Sequence, residues 1–413
     1  MSPQIPTETR QYDTSYRHFA KRIGKTPKSF IREILKVTES PSIISFAGGL
    51  PNPALIDVKG ISLAAATVFG EDGTSALQYS TTEGYLPLRQ FIAERYRKRL
   101  GLLVSPDEIL ITNGSQQCLD LIGKVFIDNG DHIAIERPGY LGAIQAFSLY
   151  EPVFHPVILN ENGLDPFMLA QVLEKHPVKL FYGVPNSQNP SGITYTNERR
   201  RELASILGNT NTVFVEDDAY GELNFSGKTL SSMREFLPDQ TIITGSFSKI
   251  LAPGMRLGWV VAPLDIMEQL VIAKQASDLH SNYLSQRIAC QYLHQQNIDD
   301  HIRKIRKVYE TQCHLMIDII REKFPESVDY TEPEGGMFIW LTLPEGISST
   351  EVFEHALKQG VAVLPGTPFF TDGGGQNTIR LNFSNSTEQK IIIGMERFSN
   401  VLHNLMENTS TLQ

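Results

Sequence analysis

Four residues in the second half of the chain have the types and the spacing to perform chemistry on a charged ligand. Asp217 and Tyr220 stand three positions apart, and Lys249 precedes Arg256 by seven positions in the segment SFSKILAPGMRLG. A lysine amine can bond to a carbonyl carbon and can then move protons. An arginine offers a permanent charge and a fork of N–H groups that suits phosphate. The four residues therefore mark this part of the chain as a candidate ligand site.

Short apolar runs precede these segments, and each is typical of a strand that is buried on both faces. The runs are 108–112 (EILIT), 132–136 (HIAIE), 179–184 (KLFYGV), 212–216 (TVFVE), 241–245 (TIITG) and 259–262 (WVVA). The segment 115–127 carries one apolar face at helical spacing. This alternation predicts an α/β fold with a doubly wound, mostly parallel sheet. Ligands of such sheets bind beyond the carboxyl ends of the strands.

Polar and glycine-containing sequence follows each predicted strand. Gly114 opens a helix whose free N–H groups favour phosphate, although a plain helix cap explains this position equally well. Tyr140 adds an aromatic ring, and the segment 185–192 adds several amides. One ligand needs all these groups, because it combines an aromatic ring, a phosphate, a ring nitrogen, a phenolic oxygen and an aldehyde. That ligand is pyridoxal 5′-phosphate.

The order and spacing of the segments 185–192, 217–220 and 246–258 resemble the fold-type I pyridoxal-phosphate aminotransferases of class I/II. The resemblance covers essentially the whole chain, from 45–51 (SFAGGLP) to 380–384 (RLNFS). The runs SFAGGLPNP and EDDAY are most similar to the subgroup of 2-aminoadipate, kynurenine and aromatic aminotransferases. The resemblance implies a large cofactor-binding α/β domain beside a smaller α+β domain.

The resemblance also implies a role for individual residues. Lys249 forms the Schiff base with the aldehyde and moves protons, while Asp217 keeps the ring nitrogen protonated so that the ring withdraws electrons. Tyr220 and Asn189 hydrogen-bond the phenolic oxygen, and Tyr140 stacks on the ring. The implied phosphate contacts are Gly114, Ser115, Gln116, Ser246, Ser248 and Arg256.

The implied substrate site centres on Arg380, which matches the arginine that grips the α-carboxylate of the amino acid. Gly49 and Asn189 are expected beside it. The implied reaction moves an amino group from an L-amino acid, such as 2-aminoadipate, glutamate or an aromatic or aliphatic one, to a 2-oxo acid such as 2-oxoglutarate. Two alternatives stay open. One is another pyridoxal-phosphate enzyme on the same fold, a C–S lyase or a decarboxylase. The other is a non-catalytic amino-acid sensor like the MocR-type regulators.

Three more residues are singled out by the resemblance. Tyr79, in LQYSTTEGY, matches a tyrosine that reaches the phosphate of the partner subunit, which implies a homodimer with shared active sites. Arg22 or Lys25 lies where subgroup members place a helix that covers the substrate. Either one could pair with a side-chain carboxylate or be a solvated residue, and the sequence favours neither.

Composition limits the partners and the compartment. The chain has 37 Lys+Arg and 46 Asp+Glu, a net charge of −9, which argues against nucleic-acid binding. The basic clusters 199–201 and 303–307 are therefore interpreted as solvated helix faces. Three cysteines without CxxC spacing predict no disulfide and no metal site, and they suit a reducing cytosol. No apolar stretch predicts a membrane span or a secretory signal, so a cytoplasmic protein is expected.

Three units are expected along the chain: an N-terminal arm (1–45), a large cofactor-binding domain (46–290) and a small C-terminal domain (291–413). The arm includes a predicted amphipathic helix and is expected to pack on the small domain. In the small domain we predict helices at 300–324 and 350–359 and strands at 335–341, 361–364 and 378–383.

Overall fold

The computed structural model describes residues 19–25, 40 and 42–410, with the side chains of residues 24, 25 and 408–410 left aside. The strands are Ile44–Ser45 (β1), Ile109–Thr112 (β2), His132–Arg137 (β3), Val153–Asn160 (β4), Gly163–Leu164 (β5), Val178–Gly183 (β6), Val213–Asp217 (β7), Thr241–Ser246 (β8), Gly258–Val261 (β9), Asp329–Tyr330 (β10), Phe338–Thr342 (β11), Val361–Ala362 (β12), Leu364–Pro365 (β13) and Thr378–Asn382 (β14).

The helices surround these strands. They are Lys21–Lys25 (α1), Val58–Ala76 (α2), Leu86–Leu100 (α3), Ser115–Phe126 (α4), Leu141–Ser148 (α5), Pro166–Lys175 (α6), Asn197–Leu207 (α7), Met233–Phe236 (α8), Leu264–Asp278 (α9), Tyr283–Gln295 (α10), Ile298–Lys323 (α11), Ser349–Lys358 (α12) and Glu388–Ser410 (α13). Within the described residues, no helix combines the length and the apolar character that crossing a membrane requires.

Eight strands form the main sheet in the order β2-β9-β8-β7-β6-β3-β4-β5. Strand β9 runs antiparallel to β2 and β8, and β5 runs antiparallel to β4, while the other neighbours are parallel. Strands β2, β8 and β9 are buried along their whole length. Helices cover both faces of such a sheet, which explains why its strands read as continuous apolar runs. The predicted doubly wound, mostly parallel α/β fold is confirmed.

The ends of the six predicted strands of this sheet differ by at most one residue from the observed ones. The predicted helix at 115–127 is α4, which ends at Phe126. Strands β4 and β5 were not predicted. Strand β4 lies next to the edge of the sheet, exposes Val153 and Ile158, and contains Pro156. It therefore lacks the continuous apolar run that identified the central strands.

A second sheet has four antiparallel strands in the order β10-β11-β14-β13, and β1 pairs with β12 in parallel. The predicted strand at 361–364 is wrong as one element, because its two halves, β12 and β13, pair with different strands. The strand predicted from residue 335 begins at Phe338, since Gly335 and Gly336 lie against Ser187 of the main unit. A Cβ on Gly336, whose φ is +73°, would come within 2.6 Å of the Ser187 Cβ.

The N-terminal arm is described only in part. The apolar residues that predict its amphipathic helix, Phe30, Ile31, Ile34 and Leu35, lie outside the described residues. Residues Ile44 and Ser45 form β1, which pairs with β12. The domain boundaries at 45 and 290 stay predictions.

The interpretation of the cluster 199–201 as a solvated face is wrong for Arg200. The side chain of Arg201 is 59% exposed, whereas Arg200 has no exposed surface. The Arg200 guanidinium donates to the carbonyl oxygens of Tyr195 (3.1 Å), Ser231 (2.7 Å) and Pro185 (2.9 Å) and to Oδ1 of Asn186 (2.7 Å). It therefore anchors both ends of the loop that follows β6. In the second cluster Arg303 and Lys307 are exposed, as predicted, whereas Arg306 is half-buried and its Nε donates to the Glu222 carbonyl oxygen at 2.7 Å.

We expect Arg200→Met to lower the free energy of unfolding by about 3 kcal/mol, because several buried oxygens lose a charged donor. The matched variant Arg201→Met removes a solvated arginine and should change it by less than about 0.5 kcal/mol. Urea unfolding of both variants measures the difference. Equal midpoints for the two variants would contradict the anchoring role of Arg200.

Candidate active site

The predicted residues converge where the carboxyl ends of the central strands face the second sheet. Lys249 lies in the turn after β8, and its Nζ donates a hydrogen bond to the Gly49 carbonyl oxygen at 2.8 Å. Loss of solvation, together with the positive charges of Arg380 and Arg256, lowers the pKa of the Lys249 amine to about 8. A substantial fraction of this amine is thus neutral near physiological pH, as a nucleophile or base requires.

Asp217 is the last residue of β7 and is only 3% exposed. Its carboxylate accepts hydrogen bonds from the Tyr182 hydroxyl at 2.7 Å and the Thr244 hydroxyl at 2.9 Å. Burial raises the pKa of Asp217 to about 6, although both hydrogen bonds lower it. A cation facing this carboxylate would favour its ionised form.

The neighbouring carboxylates point elsewhere, as strand alternation requires. Glu216 accepts from the Ser232 hydroxyl and the Met233 N–H on the opposite face of the sheet. The Asp218 carboxylate accepts a hydrogen bond from the Asn186 side-chain amide and contacts neither Tyr182 nor Thr244 through a hydrogen bond. Of the three consecutive carboxylates, only Asp217 faces the side of Tyr182 and Thr244.

A chain of hydrogen bonds joins Arg380 to Tyr220. Arg380 Nη1 donates to Asn189 Oδ1 at 2.8 Å, and Asn189 Nδ2 donates to the Tyr220 hydroxyl at 3.3 Å. Arg380 Nη2 donates to the Ala47 carbonyl oxygen at 2.7 Å. The peptide bond between Asn189 and Pro190 is cis.

Arg380 is buried in a way that suits an anionic ligand. It is 2% exposed, and its Nε is buried without a hydrogen-bond partner among the described residues. Its guanidinium carbon lies 4.2 Å from the ring centre of Phe338 and 5.3 Å from that of Phe369. Burial lowers the pKa of Arg380 to about 10, so the group stays charged at neutral pH. A carboxylate would supply the partner that the buried Nε lacks.

The start of α4 forms a cradle that only glycine permits. A Cβ on Gly114, whose φ is +79°, would come within 2.7 Å of Arg256 Nη2, and one on Gly258 within 2.7 Å of the Ser115 nitrogen. The backbone of α4 therefore begins directly beside the Arg256 guanidinium. N–H groups at a helix start and an arginine fork are together suited to phosphate.

The remaining predicted cofactor contacts border this cradle. Ser246 Oγ accepts from the Ser248 N–H at 3.1 Å. The Gln116 side chain donates to the Gly142 carbonyl oxygen. The backbone N–H of Gln116 lies in the first turn of α4. Tyr140 precedes α5, and burial together with the Asp217 charge raises its pKa to about 12, although Arg380 and Arg256 lower it. The aromatic ring is thus close to the acidic and basic groups of the site.

Three predicted residues stand differently. Tyr79 is 79% exposed and packs edge-on against His280, at 5.8 Å between ring centres. Arg22 lies on the exposed α1. The Lys25 side chain and residues 26–29 lie outside the described residues. The single chain thus brings neither Tyr79 nor Arg22 into the cluster around Lys249.

The prediction missed residues that support this cluster. Tyr182 and Thr244 belong to the apolar runs KLFYGV and TIITG, where their polar atoms face Asp217. Phe338 and Phe369 flank Arg380 from the second sheet. Their positions depend on strand register and on long-range contacts, which a single sequence does not display.

Glu136 also escaped the prediction. Its buried carboxylate accepts from the Val184 N–H at 2.8 Å, from Gln188 Nε2 at 3.0 Å and from the Tyr195 hydroxyl at 2.5 Å. Burial raises its pKa to about 7. The carboxylate ties the loop that carries Asn189 to the end of β3, so it positions that loop.

Comparisons with known proteins agree with this geometry. The chain matches the family model of aminotransferase class I and II over residues 57–398. It is 41% identical to aromatic-amino-acid aminotransferase 1 of Thermococcus litoralis, over 98% of both chains. Two solved structures superpose closely. The α-aminoadipate aminotransferase of Thermus thermophilus, complexed with N-(5′-phosphopyridoxyl)-L-leucine, has 41% identity and a TM-score of 0.89, with 94% of this chain and 98% of that chain covered.

The second structure, a kynurenine aminotransferase of Pyrococcus horikoshii in complex with PMP, has 40% identity and a TM-score of 0.90, with 95% of this chain and 98% of that chain covered. The family match and these relatives, together with the doubly wound sheet, define a pyridoxal-phosphate enzyme of fold type I. The chain belongs to the class I and II aminotransferase family, and it is a pyridoxal-phosphate-dependent transaminase.

The lowered pKa of Lys249 can be tested on cofactor-free protein. The unfolded chain holds this proton up to a pKa of about 10.4. Rising pH between about 8 and about 10 therefore favours the folded chain through this group, and the contribution is lost as the pH falls through that window. Acetylation of Lys249, followed by peptide mass spectrometry as a function of pH, should be half-maximal near pH 8.

Arg380→Met should move this midpoint upward, because it removes a neighbouring positive charge, whereas Arg97→Met on the exposed face of α3 should not. A wild-type midpoint near the usual lysine value would contradict the prediction.

Proposed function

We propose that this transaminase transfers the amino group of 2-aminoadipate, glutamate and aromatic or aliphatic L-amino acids to a 2-oxo acid such as 2-oxoglutarate. The observation that carries the proposal is the buried Arg380, whose Nε lacks a partner among the described residues while Asn189 and Ala47 fix its two other nitrogens. The names of the relatives support the range of substrates, since they include α-aminoadipate, kynurenine and aromatic amino acids.

The cradle at Gly114 and the unpartnered Arg380 Nε fit pyridoxal phosphate and its substrate. The cofactor supplies an aldehyde for the amino group and a ring that withdraws electrons from the substrate Cα. In this proposal the Gly114–Gln116 backbone and Arg256 hold the phosphate. Ser246 and Ser248 complete the phosphate site, and Tyr140 covers the ring.

Lys249 is proposed to carry the substrate proton. Its amine has a pKa of about 8, so it can remove a proton from Cα and return it later within the physiological range. Asp217 is proposed to hold a proton on the ring nitrogen. Its two hydrogen bonds from Tyr182 and Thr244 fix the carboxylate and stabilise its charged form.

The substrate is proposed to be oriented by Arg380, which grips its α-carboxylate with Gly49 alongside. The Gly49 carbonyl accepts the Lys249 hydrogen bond, and a Cβ on Gly49 would lie 3.9 Å from Arg380 Nη2. The carboxylate and the reacting amine are therefore placed on adjoining groups. Asn189 and Tyr220 are proposed to donate to the phenolic oxygen and thereby couple Arg380 to the cofactor side.

Turnover with a panel of amino donors tests the proposal. With 2-oxoglutarate as acceptor, 2-aminoadipate, phenylalanine, tyrosine and leucine should each yield glutamate, and glutamate should react with the 2-oxo acid of leucine. Lys249→Ala should reduce turnover by roughly 10²–10⁴-fold or more, because the proton carrier is lost. The control Lys228→Ala alters an exposed lysine and should retain wild-type turnover.

The panel also separates the alternatives. A C–S lyase or a decarboxylase would convert the amino acid without a 2-oxo acid, and a sensor would show no turnover at all. Either result would contradict the proposal, as would an unimpaired Lys249→Ala variant. The comparisons do not favour these alternatives.

We further propose a homodimer in which Tyr79 completes the phosphate site of the partner subunit. Tyr79 is 79% exposed in the single chain, and Leu77 and Leu279 are exposed as well. An aromatic and apolar surface of this kind favours coverage by a second copy. Three free, buried cysteines are consistent with a reducing compartment, and we propose that the enzyme works in the cytoplasm.

Hybrid dimers test the shared site. Tyr79→Phe should weaken cofactor binding by about tenfold, because a donor to phosphate is lost. Co-expression of Tyr79→Phe with Lys249→Ala should restore about a quarter of the wild-type activity at limiting cofactor, since each hybrid dimer contains one intact site. Activity no higher than that of the separate variants would contradict a shared site.

A further inference from the structure

Three histidines meet at the amino edge of the main sheet, opposite the edge that holds Lys249. His132 begins β3, His155 lies in β4, and His176 is the C-cap residue of α6, two positions before β6. Strands β6, β3 and β4 are parallel neighbours, about 4.8 Å apart. The sheet therefore brings together residues that are 23 and 21 positions apart in sequence.

The three imidazoles form a compact triangle. Their ring centres are 5.0 Å apart for His132 and His155, 5.1 Å for His132 and His176, and 4.1 Å for His155 and His176. One nitrogen of each ring can be chosen so that all three lie within 4.8 Å of one another. All three residues are half-buried, so the cluster is reachable from solvent.

The rings have few partners of their own. Within the described part of the chain, their one side-chain hydrogen bond joins His132 Nδ1 and His155 Nε2 at 2.7 Å. The nearby Asp131 carboxylate is engaged by Lys179 Nζ and by the Asp128 N–H.

We propose that His132, His155 and His176 bind one divalent transition-metal ion, of which zinc is the reference case. Neutral imidazoles are preferred ligands of zinc, nickel and copper. A metal at about 2.1 Å from each nitrogen needs nitrogens about 3.4 Å apart. The ring planes are stacked at 17° to 25° to one another, so the rings must turn on binding for their lone pairs to converge on the ion. Three protein ligands leave a position for water. The C-terminal end of α6 at His176 adds a favourable field for a cation.

This site is separate from the transaminase reaction. Strand β3 places about 16 Å between His132 and its carboxyl end, where the loop toward Tyr140 begins. We expect the ion to stabilise this end of the sheet by joining β3, β4 and the segment between α6 and β6, because a ligand that binds only the folded chain stabilises it.

Isothermal titration calorimetry of the tag-free holoenzyme with zinc chloride tests the proposal. The wild type should bind one zinc ion per chain, and magnesium chloride should give no binding signal because Mg²⁺ prefers oxygen ligands. His155→Ala should weaken zinc binding by about tenfold or more. The matched control His355→Ala changes an exposed histidine on α12 and should bind zinc like the wild type.

Thermal melting provides a second readout that does not depend on activity. Zinc should raise the melting temperature of the wild type, EDTA should reverse the rise, and His132→Gln and His176→Gln should each abolish it. Two results would overturn the proposal. One is a wild type that binds no zinc at this stoichiometry. The other is equal zinc binding by the wild type and His155→Ala, which would place the ion elsewhere, for example on the cofactor.

Discussion

The buried carboxylate of Asp217 is the feature on which the rest of the active site depends. Burying an ionised carboxyl is costly unless donors or a cation meet it. Tyr182 and Thr244 provide two donors, and they come from β6 and β8, the strands on either side of β7. Their alignment follows from the parallel register, in which Asp217 lies opposite Thr244. A slip of one residue would turn Glu216 toward this face instead. The register of the sheet therefore specifies the site as much as the identity of the residue does.

The second sheet contributes the buried Arg380 to the site. Arg380 projects from β14, yet its hydrogen-bond partners Asn189 and Ala47 belong to other segments of the chain. The close approach of Gly335 and Gly336 to Ser187 brings the second sheet against the loop that carries Asn189. Glu136 and Arg200 fix that same loop from within the main unit. This loop between the two sheets keeps Arg380 aligned with the groups around Lys249.

The sequence was sufficient for six of the eight strands of the main sheet and for the polar segments that follow them, because buried strands produce continuous apolar runs and these segments come directly after them. It was insufficient where position depends on contacts distant in sequence. Arg200 reads as one of three charged helix residues, and only the folded loop shows the four oxygens that surround it. In the sequence Tyr182 and Thr244 resemble ordinary strand residues, because only the strand register shows that their hydroxyl groups lie beside Asp217. Strand β4 contains Pro156 and exposed residues, so it resembled a loop.

The carboxyl ends and the amino ends of the parallel strands of the main sheet differ in electrostatic character, and the topology of the fold explains the difference. A parallel strand leads at its carboxyl end into the start of a helix, and it receives at its amino end the end of another helix. Helix starts carry partial positive charge and helix ends partial negative charge, each worth about 0.3–1 kcal/mol to a suitable ion. The start of α4 with Arg256 thus suits a phosphate, whereas the end of α6 at His176 suits a cation. The same arrangement therefore suits an anion at the carboxyl ends of the strands and a cation at their amino ends.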